Sequence, residues 1–135
     1  MNTGSCLCGG VKFSVAAFEP LVGHCHCNMC QKFHGAAFST FIEVKREHLH
    51  WHSGIHLLTH YRAKNDSERS FCQRCGSSLL FESKFNREQG TVEIALSAFD
   101  DKPNVTPDAH IYLENKVDWY TPNDSLCKYQ GYRKS

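Results

Sequence analysis

Seven of the eight cysteines fall in three tight clusters: Cys6-Leu7-Cys8, Cys25-His26-Cys27-Asn28-Met29-Cys30 and Cys72-Gln73-Arg74-Cys75. Thiolates spaced this way are metal ligands, and unligated buried thiols would not explain the paired spacing. In an extended segment residues i and i+2 face the same way, so Cys6 and Cys8 can reach one ion together. A Cys-x-x-Cys turn aims backbone N–H groups at its sulfurs. Gly76, directly after Cys75, supplies the positive φ that closes such a turn. The run Ser70–Phe81 therefore reads as a zinc knuckle leading into an apolar strand.

Zinc takes four protein ligands when structural and three plus an open position when catalytic. A pair, a triple and a pair divide economically into four and three. That puts Cys6, Cys8, Cys72 and Cys75 on one ion and leaves Cys25, Cys27 and Cys30 for another. Spacing alone does not force this division. Cys27 and Cys30 with Cys72 and Cys75 also form a legitimate CxxC…CxxC site, leaving Cys6, Cys8 and Cys25 for the second. An iron–sulfur cluster also takes cysteines, although a CxC spacing is less typical of one.

Four thiolates make a closed centre that contributes folding energy, about 10 kcal/mol in small domains. Three leave a vacant position, and a substrate thiol entering it loses its proton. The result is an activated sulfur nucleophile. The three-ligand site is also the one more easily lost or oxidised, so its occupancy is expected to be partial.

Other polar residues near the clusters have plainer readings. His24 and His26 alternate with the ligands: one could be a fourth ligand or a proton shuttle at the metal, but alternation turns them to the opposite strand face, which favours half-buried polar residues. Asn28, Gln31 and Lys32 surround Cys30 and could bond its sulfur, attract an anion or simply face solvent. His48, His50 and His52 alternate before a Ser53-Gly54 turn, with His56 and His60 after it. With no acidic partner evident to orient the rings, they read as a solvent-facing hairpin. Cys127 stands alone in a polar tail beside Lys128 and reads as an ordinary free cysteine.

The elements that must hold these residues are short. Apolar or alternating stretches occur at Val11–Val15, Leu21–His24, Ala37–Val44, Leu49–Trp51, Ile55–Tyr61, Ser78–Phe81, Thr91–Leu96 and Ile111–Leu113. Gly, Pro, Asn and Asp separate them, which predicts a mostly β fold. Asn28–His34 and Lys45–His48 could each form a short helical turn. No repeat or linker interrupts the chain, so residues 1–135 are expected to form a single domain.

Composition excludes several functions. The net charge is +1, with no basic face in view, so no nucleic-acid partner is expected. No apolar run approaches the roughly 18 residues of a membrane span. The start, MNTGSCLCGG, has no secretory pattern, so a cytoplasmic location is expected. In a reducing compartment, cysteine clusters mean metal rather than disulfides.

These motifs resemble a known family. Cys6-Leu7-Cys8-Gly9, Cys25-His26-Cys27-Asn28-Met29-Cys30-Gln31-Lys32 with Gly35, and Arg69-Ser70-Phe71-Cys72-Gln73-Arg74-Cys75-Gly76 look like the glutathione-dependent formaldehyde-activating enzymes. That family also takes in the centromere-protein-V-type domains. The match runs across residues 4–81, with His110, Lys116 and Trp119 resembling its closing strand more loosely. The resemblance implies Mss4-like, twisted, mostly antiparallel sheets pinned by a four-cysteine zinc site. It implies a structural zinc on Cys6, Cys8, Cys72 and Cys75 and a reactive zinc on Cys25, Cys27 and Cys30. It implies a carbon–sulfur lyase activity of the S-hydroxymethylglutathione synthase kind, joining or splitting a thiol and formaldehyde. The named enzyme is a longer chain, and this one has little room for the extra segments that would cradle a tripeptide, so the thiol expected is glutathione or a similar one.

Two other functions compete. A non-catalytic zinc module of the same fold would bind a protein partner. A methionine-sulfoxide reductase has a similar Phe71–Gly76 knuckle but needs a reactive cysteine outside the metal. Only Cys127 qualifies, and its surroundings do not match that nucleophile motif.

Overall fold

The computed structural model describes residues 1–133. It is mostly β, with two short α-helices, and its strands pair chiefly antiparallel. In chain order the elements are β1 (Asn2–Ser5), β2 (Lys12–Val15), β3 (Val22–Cys25), α1 (Asn28–His34), β4 (Ser39–Lys45), β5 (Leu49–Ser53) and β6 (Leu58–Arg62). Then follow β7 (Glu68–Cys72), β8 (Ser78–Glu82), α2 (Lys84–Gln89), β9 (Thr91–Ala95), β10 (Ala109–Ile111) and β11 (Cys127–Lys128). These group into two compact units, residues 1–20 with 42–104 and residues 21–41 with 105–133. Among the described residues no helix is long and apolar enough to cross a membrane.

The first unit holds an antiparallel sheet in the order β1-β2-β5 and a meander in which β6, β7, β8 and β9 are successive neighbours. Phe13 on β2 anchors the small sheet. Its ring meets Trp51 and Phe99 edge-on, with centroids 5.9 and 5.4 Å away. The meander strands bury Leu79, Leu80, Val92 and Ile94. Burying such a side chain is worth about 1.5–3 kcal/mol each, which is what makes short strands hold.

Gly54 fixes the approach of the β5–β6 turn to the cysteine loop before β2. Its φ is 77°, and a Cβ there would lie 2.1 Å from the Gly10 carbonyl oxygen. Gly54→Ala is expected to cost at least about 2 kcal/mol through left-handed strain and that clash. A urea titration checks it, with a lowered midpoint at an unchanged slope.

The predicted strands are recovered with shifted ends, and the differences have causes. Ile55–Leu57 forms a 3-10 turn before β6. Leu113–Asn115 is another such turn, where a strand over Ile111–Leu113 was expected. The chain leaves the sheet there because Tyr112 takes a left-handed φ of 57°. The helix α2 had no counterpart in the sequence reading. It starts at a capping box in which Ser83 Oγ accepts from Asn86 N–H and Asn86 Oδ1 accepts from Ser83 N–H. Asn86 Nδ2 also donates to Glu43 and Thr91, so a polar residue is buried here with its bonds satisfied.

The second unit is organised differently. β10 lies between β3 and β11 and pairs with both in parallel. Ala109, His110 and Ile111 stand opposite Gly23, His24 and Cys25. Parallel pairing over three residues needs return connections that are not hairpins, and the long segments 26–108 and 112–126 provide them.

Candidate metal centre

In the first unit the sulfurs of Cys6, Cys8, Cys72 and Cys75 lie within 4.8 Å of one another. Cys6 Sγ and Cys8 Sγ are 3.6 Å apart, and Cys8 Sγ and Cys72 Sγ 3.9 Å. A tetrahedron with Zn–S bonds of about 2.3 Å has edges of about 3.8 Å, so these separations fit a single ion. Backbone geometry produces them. Gly9 N–H bonds back to the Cys6 carbonyl, and Val11 N–H donates to Cys6 Sγ at 3.2 Å. In the other loop Gly76, at φ 79°, returns its N–H to the Cys72 carbonyl at 2.7 Å.

Ser77 fastens the two loops to each other. Its Oγ accepts from Leu7 N–H at 2.7 Å, which leaves its own hydroxyl hydrogen for Cys75 Sγ at 3.3 Å. That bond is the main reason the Cys75 thiol is pulled down to about 5, with the Ser77 and Cys8 N–H groups adding to it. Cys75 is thus a thiolate at neutral pH. Burial pushes the Cys72 thiol up. A thiolate beside a buried thiol is a donor set that a soft divalent cation completes.

In the second unit Cys25, Cys27 and Cys30 form a group of three, again within 4.8 Å. Cys25 ends β3, opposite Ile111 of β10. Cys27 is the N-cap of α1, its sulfur accepting from Cys30 N–H at 3.4 Å, and Cys30 is buried in the first turn. Gly35, at the left-handed C-cap, ends the helix after seven residues. Gln31, predicted as a residue that could bond sulfur, instead donates its amide to the His26 and Asn115 carbonyls at 2.7 and 2.9 Å. It pins the peptide that joins two of the cysteines. Asn28 and Lys32 are exposed.

Crowding three thiols sets their protonation. Hydrogen bonding with Cys27 and Cys30, then burial, drives the Cys25 thiol far above its ordinary range. Three adjacent thiols cannot all ionise without a cation to balance them, and a divalent ion is what this group fits. Tyr112 sits next in sequence to the residue opposite Cys25, and its phenol is pushed up chiefly by burial.

Of the two histidines beside Cys25, His24 is half-buried as expected, its Nδ1 2.7 Å from Thr40 Oγ1, and His26 departs from the sequence reading. His26 is fully buried rather than half-buried. Its Nε2 is 2.8 Å from His110 Nδ1, and His110 Nε2 is 2.9 Å from Asp124 Oδ2. Burial, then the nearby charge of His110, lowers the His26 pKa to about 4, so its ring is neutral at neutral pH. His110 holds the Asp124 carboxyl down at about 2. Only the loose closing-strand resemblance pointed to His110, and no local pattern marked Asp124. On β5 and β6, His52 bonds Ser14 and His60 bonds Ser70 with Glu68 nearby. Among the described residues the histidines from 48 to 60 do not gather into a metal-binding group, and exposed Cys127 lies outside both cysteine groups.

The fold and the two cysteine groups define a mostly β protein with two centres that could hold metal ions. Comparison with known proteins narrows this. The family profile described as glutathione-dependent formaldehyde-activating enzyme matches residues 1–115, and the chain belongs to that family. A Halomonas elongata protein, provisionally named a glutathione-dependent formaldehyde-activating enzyme, is 34% identical over 125 residues, covering 86% of this chain and 77% of its own. An uncharacterized lyase of Schizosaccharomyces pombe is 26% identical over 117 residues, 87% of this chain and 82% of its own. A crystal structure of a Rhodobacter sphaeroides protein shares the fold with a TM-score of 0.62 at 20% identity, covering 78% of this chain and 91% of that one.

Proposed function

We propose that this protein is a zinc-dependent carbon–sulfur lyase-type enzyme that joins or splits a thiol, glutathione or similar, and a small aldehyde such as formaldehyde. The group of three cysteine sulfurs carries the reading, because three ligands leave a position for substrate where four would not. Family membership and the names of the two relatives support a lyase acting on these substrates. A zinc ion at Cys25, Cys27 and Cys30 would supply an open position at which a substrate thiol is held as thiolate. The net change is R–SH + H₂C=O → R–S–CH₂–OH: one S–C bond forms and the thiol proton ends on the former carbonyl oxygen. Cys25, Cys27 and Cys30 would hold the ion, β3 and the first turn of α1 hold the cysteines, and Gln31 keeps their connecting peptide in place.

Cys6, Cys8, Cys72 and Cys75 would hold a second, structural zinc. The family match runs unbroken through both units, which supports one functional domain of the Mss4-like kind. A reducing, cytoplasmic setting would keep these sulfurs available to metal. The test mixes zinc-loaded protein with formaldehyde and glutathione, cysteine or coenzyme A, and follows the S-hydroxymethyl adduct by NMR. Adduct formation faster than the buffer control is expected for at least one thiol. Rates equal to buffer for every thiol would sink the proposal and favour a protein-binding zinc module.

A further inference from the structure

Asp124 lies beyond the segment that matches the family, yet its exposed carboxylate ends a chain of polar groups that runs through buried His110 and His26 back to the three-cysteine motif. The carboxylate is acceptor-only. Its Oδ1 takes Leu126 N–H at 3.1 Å and Lys128 Nζ at 3.2 Å, and its Oδ2 takes His110 Nε2 at 2.9 Å. His110 must therefore carry a hydrogen on Nε2. When neutral it offers a lone pair from Nδ1, and His26 Nε2, 2.8 Å away, must donate to it. The polarity is then set along the whole chain. His26 Nδ1, buried and without a hydrogen-bond partner, is left with a lone pair rather than an N–H. His26 is bonded to Cys25 and Cys27 through its own peptide groups, so fixing its ring fixes two of the three sulfurs.

We propose that Asp124 and His110 are positioning residues for the three-cysteine centre: they lock His26 as the Nε2–H tautomer and hold the Cys25–His26–Cys27 segment in its ligating geometry. Outer groups that orient metal-binding segments commonly matter tenfold to a hundredfold in affinity. The C-terminal segment thereby becomes part of the centre, through Asp124 and the backbone bond from Tyr129 N–H to the His110 carbonyl. The inference uses the reading that Cys25, Cys27 and Cys30 hold zinc, but not the reaction proposed for it.

The experiment uses the full-length, zinc-loaded, ¹⁵N-labelled protein and long-range ¹H–¹⁵N correlations of the imidazoles. Pyrrole-type Nε2 and pyridine-type Nδ1 in both His26 and His110 are expected. A protonated Nδ1 in either ring overturns the proposal, and this measurement needs no variant. In Asp124→Ala, zinc at the three-cysteine site should bind about ten- to a hundredfold more weakly in chelator competition, with the other zinc unchanged. Asp124→Glu should recover part of the loss. A folded Asp124→Ala protein with unaltered affinity at that site also overturns it. Neither readout requires turnover, so its failure stays separate from failure of the lyase assay.

Discussion

Cys72→Ser is expected to lose one zinc and most of the stability of the first unit. Cys72 is fully buried, and its loop is tied across 64 residues of sequence to Cys8. Serine is a poor zinc ligand, so its hydroxyl would be left buried among three sulfurs that lack their cation. A structural zinc contributes about 10 kcal/mol, against a typical total of about 5–15 kcal/mol. The first unit has a real core around Phe13, Leu79 and Ile94, so a compact but loosened state is the expected product. Zinc content with thermal unfolding by circular dichroism checks this. A variant that melts cooperatively at the parent temperature would show that the four cysteines are not a structural metal site.

Cys27→Ser should do the opposite, keeping the fold and abolishing activity. Cys27 is the N-cap of α1 and accepts from Cys30 N–H. Serine is a preferred N-cap, so the helix start survives the exchange. What is lost is one of three sulfurs. Because even outer groups around a metal cost up to about a hundredfold, removing a ligand should lower the adduct-forming rate by more than about a hundredfold. In zinc-loaded protein the metal content should fall from two to one with little change in thermal unfolding. Full activity in the serine variant would remove Cys27 from the reactive centre.

The cysteine groups were largely legible in the sequence because each ligand cluster is local. CxC, CxCxxC and CxxC each bring their sulfurs together within one turn or strand end. What spacing could not decide was which clusters meet, since that depends on how distant strands are arranged, and economy and resemblance supplied the division. Most of the short strands were legible as apolar or alternating stretches, but β1 and β7, whose residues are largely polar, were not. The two-residue β11 was not, because its pairing to Ala109 and His110 is set by the sheet. α2 was missed because its N-terminal signal uses asparagine at Asn86 in place of the more usual Glu or Gln. His26 was misjudged because alternation gives the face of a side chain and says nothing about what covers that face. Here Phe38 and His110 do, with ring centroids 4.9 and 5.0 Å away.

The four sulfurs of the first group are unequal in one respect: Cys6 and Cys72 are buried, Cys75 is half-buried and Cys8 is exposed. Ligand swapping needs an incoming donor to reach an ion as an outgoing sulfur departs, and the exposed Cys8 side gives the widest approach. An ion held by these four sulfurs would therefore give up Cys8 first and regain it last, so the corner at Cys8 would act as the doorway for exchange with thiols in solution.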